Sequence, residues 1–189
     1  MRLHRLGGSW LGLAVLALVQ LQTATPFAAS SQTGAQSDVA VKAAFIYNFA
    51  KFTEWPSLPD GGFLMICVAG DDAVAAALSE TVQGQTVGGH AFDVERSLNS
   101  ATWKVCHLLY VADTETRRST AGLTGLKTLP VLTVSDSKGF AQNGGIVELY
   151  LETGRMRFAI NVTAAERSGL RLNSRLLGLA RIVRTEDAR

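Results

Sequence analysis

The sequence predicts a three-layer α/β fold: a largely parallel sheet flanked by helices, with an antiparallel hairpin near the C-terminus. Three observations predict it. Short continuous apolar runs at 63–69, 106–112 and 130–134 have strand length and little polar alternation, as strands covered on both faces require. Helix-compatible stretches alternate with these runs, the arrangement by which parallel strands are connected. Toward the end the pattern changes to strict alternation on either side of Thr153-Gly154, the signal of a two-residue hairpin turn.

Taken in order, residues 1–29 read as a secretory leader: Arg2 and Arg5, an apolar run at 10–19, and a small-residue exit around Ala28-Ala29-Ser30. The run falls short of the roughly 20 residues that span a bilayer. A polar, flexible stretch is expected at 30–37 and a single domain over 38–189, a length that suits one core. Subtracting Arg2 and Arg5 from 18 Lys and Arg leaves 16, against 16 Asp and Glu. An exported protein without net charge lacks the basic footprint of a nucleic-acid binder.

A first helix is expected over 38–54, stopped by Pro56. The segment 41–56 holds Phe45, Tyr47, Phe49, Phe52 and Trp55 out of the chain's 8 Phe, 3 Tyr and 3 Trp. Val41, Ala44, Phe45, Asn48, Phe52 and Trp55 share one helical face; Ile46, Phe49 and Ala50 share a second. Two apolar faces indicate packing on more than one side, with ligand stacking as the alternative for the aromatics. After the first strand, Asp71-Asp72 lead into a helix over 73–79, and a short strand is expected at 92–96.

The hairpin register follows from its turn. Leu151 should face Met156, Leu149 Phe158 and Val147 Ile160 on one side, with Glu152 opposite Arg155 and Tyr150 opposite Arg157 on the other. Thr163 and Glu166 then read as a capping box and Gly169 as a helix stop. Ser174 is expected to cap a last helix whose Leu176, Leu177, Leu179, Ala180 and Val183 face inward. Arg175, Arg181 and Arg184 would then line its wet side. With Arg171 these arginines offer an acidic partner or a membrane surface a basic stripe, though a solvated face is the plainer reading.

Chemistry-bearing groups are sparse. His90 and His107 lack metal-ligand spacing with Cys, Asp or Glu, and His107 lies inside an apolar run as a core histidine would. No nucleophile elbow and no phosphate-cradling glycine loop occurs. An enzyme is not expected, nor a cofactor. Cys67 and Cys106, the only cysteines, favour a structural disulfide in an oxidising compartment, with two buried free thiols as the alternative. Asp71, Asp72, Asp113, Ser135 and Lys138 all follow predicted strands, where open α/β sheets form their binding crevice. They outline a small-ligand pocket, and more remotely a phosphoacceptor site, which the export leader disfavours.

The segments VKAAFIYNFAKFTEWP, ICVAGDD and VLTVSDSKGFAQNGGIVELYLETGRMRFAINVTAAERSGLRLNSRLLGLARIV together resemble the YfiR family of exported bacterial proteins. Phe158, Asn161, Gly169, Leu170, Ser174, Leu176 and Leu177 are spaced as in that family, and the resemblance covers about 39–183. It implies a periplasmic, commonly dimeric repressor that binds the periplasmic domain of an inner-membrane diguanylate cyclase, lowering cyclic di-GMP and biofilm formation. It also implies that Cys67 and Cys106 match a family disulfide pair. Some relatives carry a second pair near the hairpin, where this chain has no cysteine between Ala141 and Glu148. Arg155, Arg157, Phe158 and Glu166, on the hairpin and the helix after it, are the expected partner contacts. A periplasmic small-ligand sensor acting on a histidine kinase or a transporter system is the second reading.

Overall fold

A computed structural model describes residues 30–56, 58, 61–97 and 99–185; the leader read at 1–29 lies outside them. Helix α1 (Ser30–Lys51) begins eight positions before the expected Asp38, running through the stretch that the sequence reads as flexible. It also ends before Pro56. The Thr53 hydroxyl donates to the Phe49 carbonyl at 2.7 Å, and the backbone turns into β1 (Thr53–Glu54). A threonine that bonds back to the fourth preceding carbonyl competes with helix continuation.

The first apolar run forms β2 (Leu64–Ala69), and α2 (Asp72–Val82) follows it. Asp71 caps α2 by accepting from the Val74 amide at 3.0 Å. The short β3 (Thr86–Val87) and β4 (His90–Arg96) come next, then a 3-10 helix at Ser100–Val105 and β5 (Leu108–Val111). Two short helices, α3 (Asp113–Thr116) and α4 (Thr120–Thr124), lead to β6 (Leu132–Ser135). The hairpin is β7 (Val147–Glu152) and β8 (Arg155–Asn161), and all five predicted cross-strand pairs are present. Thr153 and Gly154 take φ of 49° and 74°, as a turn matching the twist of the flanking strands requires.

The C-terminal segment departs from expectation. Helix α5 (Val162–Arg167) is capped by Asn161, whose side-chain oxygen accepts from the Ala164 amide at 3.0 Å; Thr163 already lies inside the first turn. Gly169 does stop it, at φ 70°, with the Leu170 amide reaching back to the Ala165 carbonyl. After β9 (Arg171–Leu172), which pairs with β1, helix α6 (Ser174–Leu177) is capped by Asn173 and lasts one turn. The chain then enters β10 (Arg181–Val183), parallel to β8 at Ala159–Asn161. An open strand edge beside the β-branched Ile182-Val183 outcompetes helix propensity. Leu179, expected inward, is 75% exposed.

The main sheet has the order β10-β8-β7-β6-β5-β2-β4-β3. Strands β4, β2, β5, β6 and β7 run parallel; β3, β8 and β10 oppose them. One face packs Leu64, Ile66, Leu108, Tyr110, Leu132 and Leu149 against Ile46 and Phe49 of α1 and Leu78 of α2. The other buries Cys67, Ala69, Leu109 and Val111 beneath Trp103, Leu126 and Val131. The sheet is therefore the middle of three layers, mostly parallel and flanked by helices, with an antiparallel hairpin toward one side. Both faces of β2, β5 and β6 are buried, so their runs carry no alternation.

Cys67 and Cys106 are joined by a disulfide across 39 residues, with Cα atoms 5.9 Å apart. It ties β2 to the segment entering β5. On the loop-closure model such a bond stabilises by about 4 kcal/mol. Replacing both cysteines by alanine should lower the urea-denaturation stability by about that amount; a loss below about 1 kcal/mol would show that the bond adds little restraint.

Candidate functional site

The direction of sheet growth reverses between β2 and β5, which places a potential crevice outside their carboxyl ends. In this chain α3 fills it. A Cβ built on Gly70 would stand 2.8 Å from the Glu115 Cβ and 3.3 Å from that of Ala112. Asp71 is occupied as a helix cap, and Asp72 faces Arg96 at 3.8 Å on the surface. Neither lines the cavities described below.

A larger open space lies beside β6, on the face opposite α1. A cavity of about 800 Å³ is enclosed by α3, α4, the chain at 136–146 and the sheet, within the size range of small-molecule sites. Its floor includes Leu126, Val131, Phe140 and Ile146, and its rim includes Asp113, Arg117, Lys127, Asp136, Ser137 and Lys138. Ser135 is fully buried beneath the rim, bonded to Thr116 at 3.0 Å and accepting from the Ser137 amide. Of the five predicted crevice residues, Asp113 and Lys138 thus border the cavity, Ser135 supports it, and Asp71 and Asp72 stand apart. A second cavity of about 510 Å³ shares Asp136 and Lys138 and runs toward Tyr150 and Arg181.

Sequence reasoning passed over Asp136, which joins the two cavities. One carboxylate oxygen pairs with Lys42 of α1, and the other accepts from the Asp113 amide at 2.9 Å. The Tyr110 hydroxyl is fully buried without a well-formed hydrogen bond. Burial first, and then the Asp136 charge, push its pKa far up, so it stays a neutral phenol. The wall at 136–146 is fixed from three strands. Glu148 accepts from the Gly139 and Ala141 amides at 3.1 and 3.2 Å. Asn161 donates to the Ala141 carbonyl at 2.7 Å, and Thr133 accepts from the Ile146 amide at 3.1 Å. The Phe140 ring stands on Gly145, where a Cβ would meet it at 2.2 Å; only glycine admits that contact.

The YfiR/HmsC-like family model matches residues 39–181, most of the chain. The chain belongs to the YfiR/HmsC-like family. Proteins of this kind are periplasmic regulators rather than enzymes. No curated protein matches the chain. Among the described residues no group of three or more His, Cys, Asp or Glu is arranged to hold a metal ion, and no helix is long and apolar enough to cross a membrane.

No cysteine stands between Ala141 and Glu148. In this member the Glu148 carboxylate, only 3% exposed, holds the Ala141 amide directly. Strict alternation puts Glu148 on the same side of β7 as Tyr150 and Glu152, yet it is buried, because period 2 cannot show that a loop folds over half a strand. Glu148→Ala should cost about 3 kcal/mol by leaving two amides without their acceptor, and Glu148→Gln roughly half that. Faster hydrogen exchange at Gly139 and Ala141 checks the mechanism; unchanged exchange in Glu148→Ala would refute it.

The four expected hairpin contacts do not share one face. Arg155 and Arg157 are exposed, but Phe158 points to the other side of β8, only 6% exposed and packed on Phe45 and Phe49 with centroids 5.7 and 5.1 Å apart. Nor is the hairpin a free edge, because β10 covers Ala159–Asn161; Arg155–Phe158 remains unpaired on that side. Arg157 meets Glu152 at 3.7 Å, while Tyr150 lies under Arg181 at 4.4 Å. Glu166 is exposed on α5.

The aromatics of α1 and the turn after it divide several ways. Phe49 enters the core, and Tyr47 packs on Phe92. Phe45 and Phe52 line an apolar groove of about 370 Å³ with Phe158, Leu176 and Leu179. The Trp55 indole donates to the His107 carbonyl at 3.0 Å, and the His107 Nδ1 accepts from the Met65 amide at 3.0 Å. His107 is therefore a satisfied structural histidine with its proton on Nε2. Burial and then the charge of His90 lower its pKa below the ordinary 6.5. Because the unfolded chain takes up this proton more readily, stability should be complete above pH 6.5 and decline as pH falls below it. His107→Gln should remove that part of the decline in urea melts between pH 5 and 8; an unaltered slope would exclude His107 as its source.

Proposed function

We propose that this protein is an exported repressor whose single domain, after removal of residues 1–29, binds the periplasmic domain of an inner-membrane diguanylate cyclase. Repression would hold cyclic di-GMP, and with it biofilm formation, low. The family match over 39–181 carries the reading, and the Cys67–Cys106 bond suits an oxidising compartment. A homodimer is part of the proposal. Partner contact is assigned to the unpaired half of β8 and to α5, with Arg155, Arg157 and Glu166 outward and Phe158 as support beneath. The 800 Å³ cavity favours a second reading, a periplasmic small-ligand sensor acting on a histidine kinase or a transporter system.

The test is retention of detergent-solubilised inner-membrane proteins by the exported protein, oxidised and reduced, identified by mass spectrometry. Recovery of a cyclase with a periplasmic domain is expected, and recovery of a kinase or transporter in its place would favour the sensor. Arg157→Ala with Glu166→Ala should weaken cyclase binding by about 1 kcal/mol, roughly five-fold, with folding intact. Wild-type affinity in that variant would remove β8 and α5 from the interface.

A further inference from the structure

The two ends of the main sheet are finished differently. At one end β10 lies along β8 at Ala159–Asn161. At the other, β3 covers β4 only at His90 and Ala91, and no described residue pairs with the outer side of 93–96. The Ser97 amide donates to the Val68 carbonyl at 2.8 Å, so the odd-numbered positions here direct their backbone groups to β2. The amides and carbonyls of Val94 and Arg96 therefore point away from the sheet. These four groups stand in ladder geometry without partners among the described residues, as a template for an added strand.

The side chains along this edge are sorted by face. Phe92 and Val94 lie on the side of α1 and α2, packed on the core yet only partly buried. A groove of about 640 Å³ runs beside them, bounded by Ser79 and Glu80 of α2 and by Gln85 and Thr86. Asp93 and Glu95 point to the opposite face, both exposed, and neither has an ion pair among the described residues. Arg96 lies on the other face and meets Asp72 at 3.8 Å. The unused charge of the edge is therefore acidic.

That charge decides the occupant. Two-fold antiparallel pairing with a second copy about Asp93, Val94 or Glu95 would set one carboxylate directly opposite another, which destabilises a ladder. A strand with Lys or Arg at those positions would instead meet both carboxylates with opposite charge. Its alternate residues would fall beside Phe92 and Val94, over the groove.

We infer that the free edge of β4 takes up an extended segment of a partner protein, alternately basic and apolar, as an added strand of the sheet. Main-chain bonds to Val94 and Arg96 hold it. Asp93 and Glu95 select basic residues on one face, and Phe92 and Val94 receive apolar residues on the other. This edge lies at the far end of the strand order from β8, so the inference does not depend on the proposed cyclase contact.

Amide chemical-shift titration and hydrogen exchange of the ¹⁵N-labelled exported protein test the inference. The probes are the capped peptides KVKVKVK, EVEVEVE and KPKPKPK. The first should give saturable shifts centred on 92–96 and slow the exchange of the Val94 and Arg96 amides. EVEVEVE reverses the charge, while KPKPKPK keeps it but lacks the alternate amides that a ladder needs. Each should bind at least about ten-fold more weakly. Asp93→Asn with Glu95→Gln, both at exposed positions, should weaken KVKVKVK at least about five-fold while leaving distant amide shifts in place. Equal binding of KPKPKPK would overturn strand addition. Equal binding of EVEVEVE, or wild-type affinity in the double variant, would overturn the choice of a basic partner. Exchange at Val94 and Arg96 that slows with rising protein concentration alone would seat a second copy there instead. Shifts centred elsewhere, or no saturable binding of KVKVKVK, would overturn the site itself.

Discussion

Burial of both faces of β2, β5 and β6 constrains everything around them. A parallel sheet cannot leave either face to water, yet the chain places its long helices, α1 and α2, on one side alone. The other face is covered by a 3-10 helix, two helices of four and five residues, and an irregular segment at 136–146. Such a layer has no long helix with which to hold itself down. The disulfide, the Trp103 indole, and the side chains of Thr133, Glu148 and Asn161 supply what helix packing would otherwise have supplied.

The same shortage explains where the cavity lies. On the face under α1 and α2, Ile46, Phe49 and Leu78 fill the space above the sheet with no exposed surface left. Beside β6 the thin layer leaves volume unfilled. The crevice that strand order predicts at β2 and β5 is meanwhile closed by Glu115 over Gly70. Strand topology alone therefore points to the end of the sheet where the cavity lies, but not to its place along that end.

Much of this architecture was legible in the sequence, where short-range periodicity decides the structure. The hairpin register followed from Thr153-Gly154 and two alternating flanks, because a two-residue turn leaves one pairing that keeps Val147, Leu149, Phe158 and Ile160 together. The buried strands were legible from their lack of alternation. The last helix was not: Leu176, Leu177, Leu179 and Ala180 have helical spacing, but the open edge of β8 is a long-range partner that no local pattern reveals. Asn161 and Asn173 as caps were missed because serine or threonine stands close to each in the chain. Of the candidate site, Asp113 and Lys138 were legible as residues following strands, whereas Lys127, Asp136 and Glu148 depend on how the covering layer folds back.

That layer also bears on how a regulator of this build could change state. A repressor responds to a signal only if the signal favours one conformation over another by differential binding or by a change in covalent constraint. Leu126 and Val131 belong both to the cluster around Cys67, Cys106 and Trp103 and to the floor of the cavity. A ligand seated on that floor and reduction of the disulfide would thus act on the same few side chains. Ligand occupancy would restrain those side chains, while loss of the bond would release the segment entering β5. The α1 face, densely filled by long helices, offers no comparable freedom. On the proposed reading, any switch in this protein is expected in the thin layer, with the hairpin feeling it through Glu148 and Asn161, the two side chains that join that layer to β7 and β8.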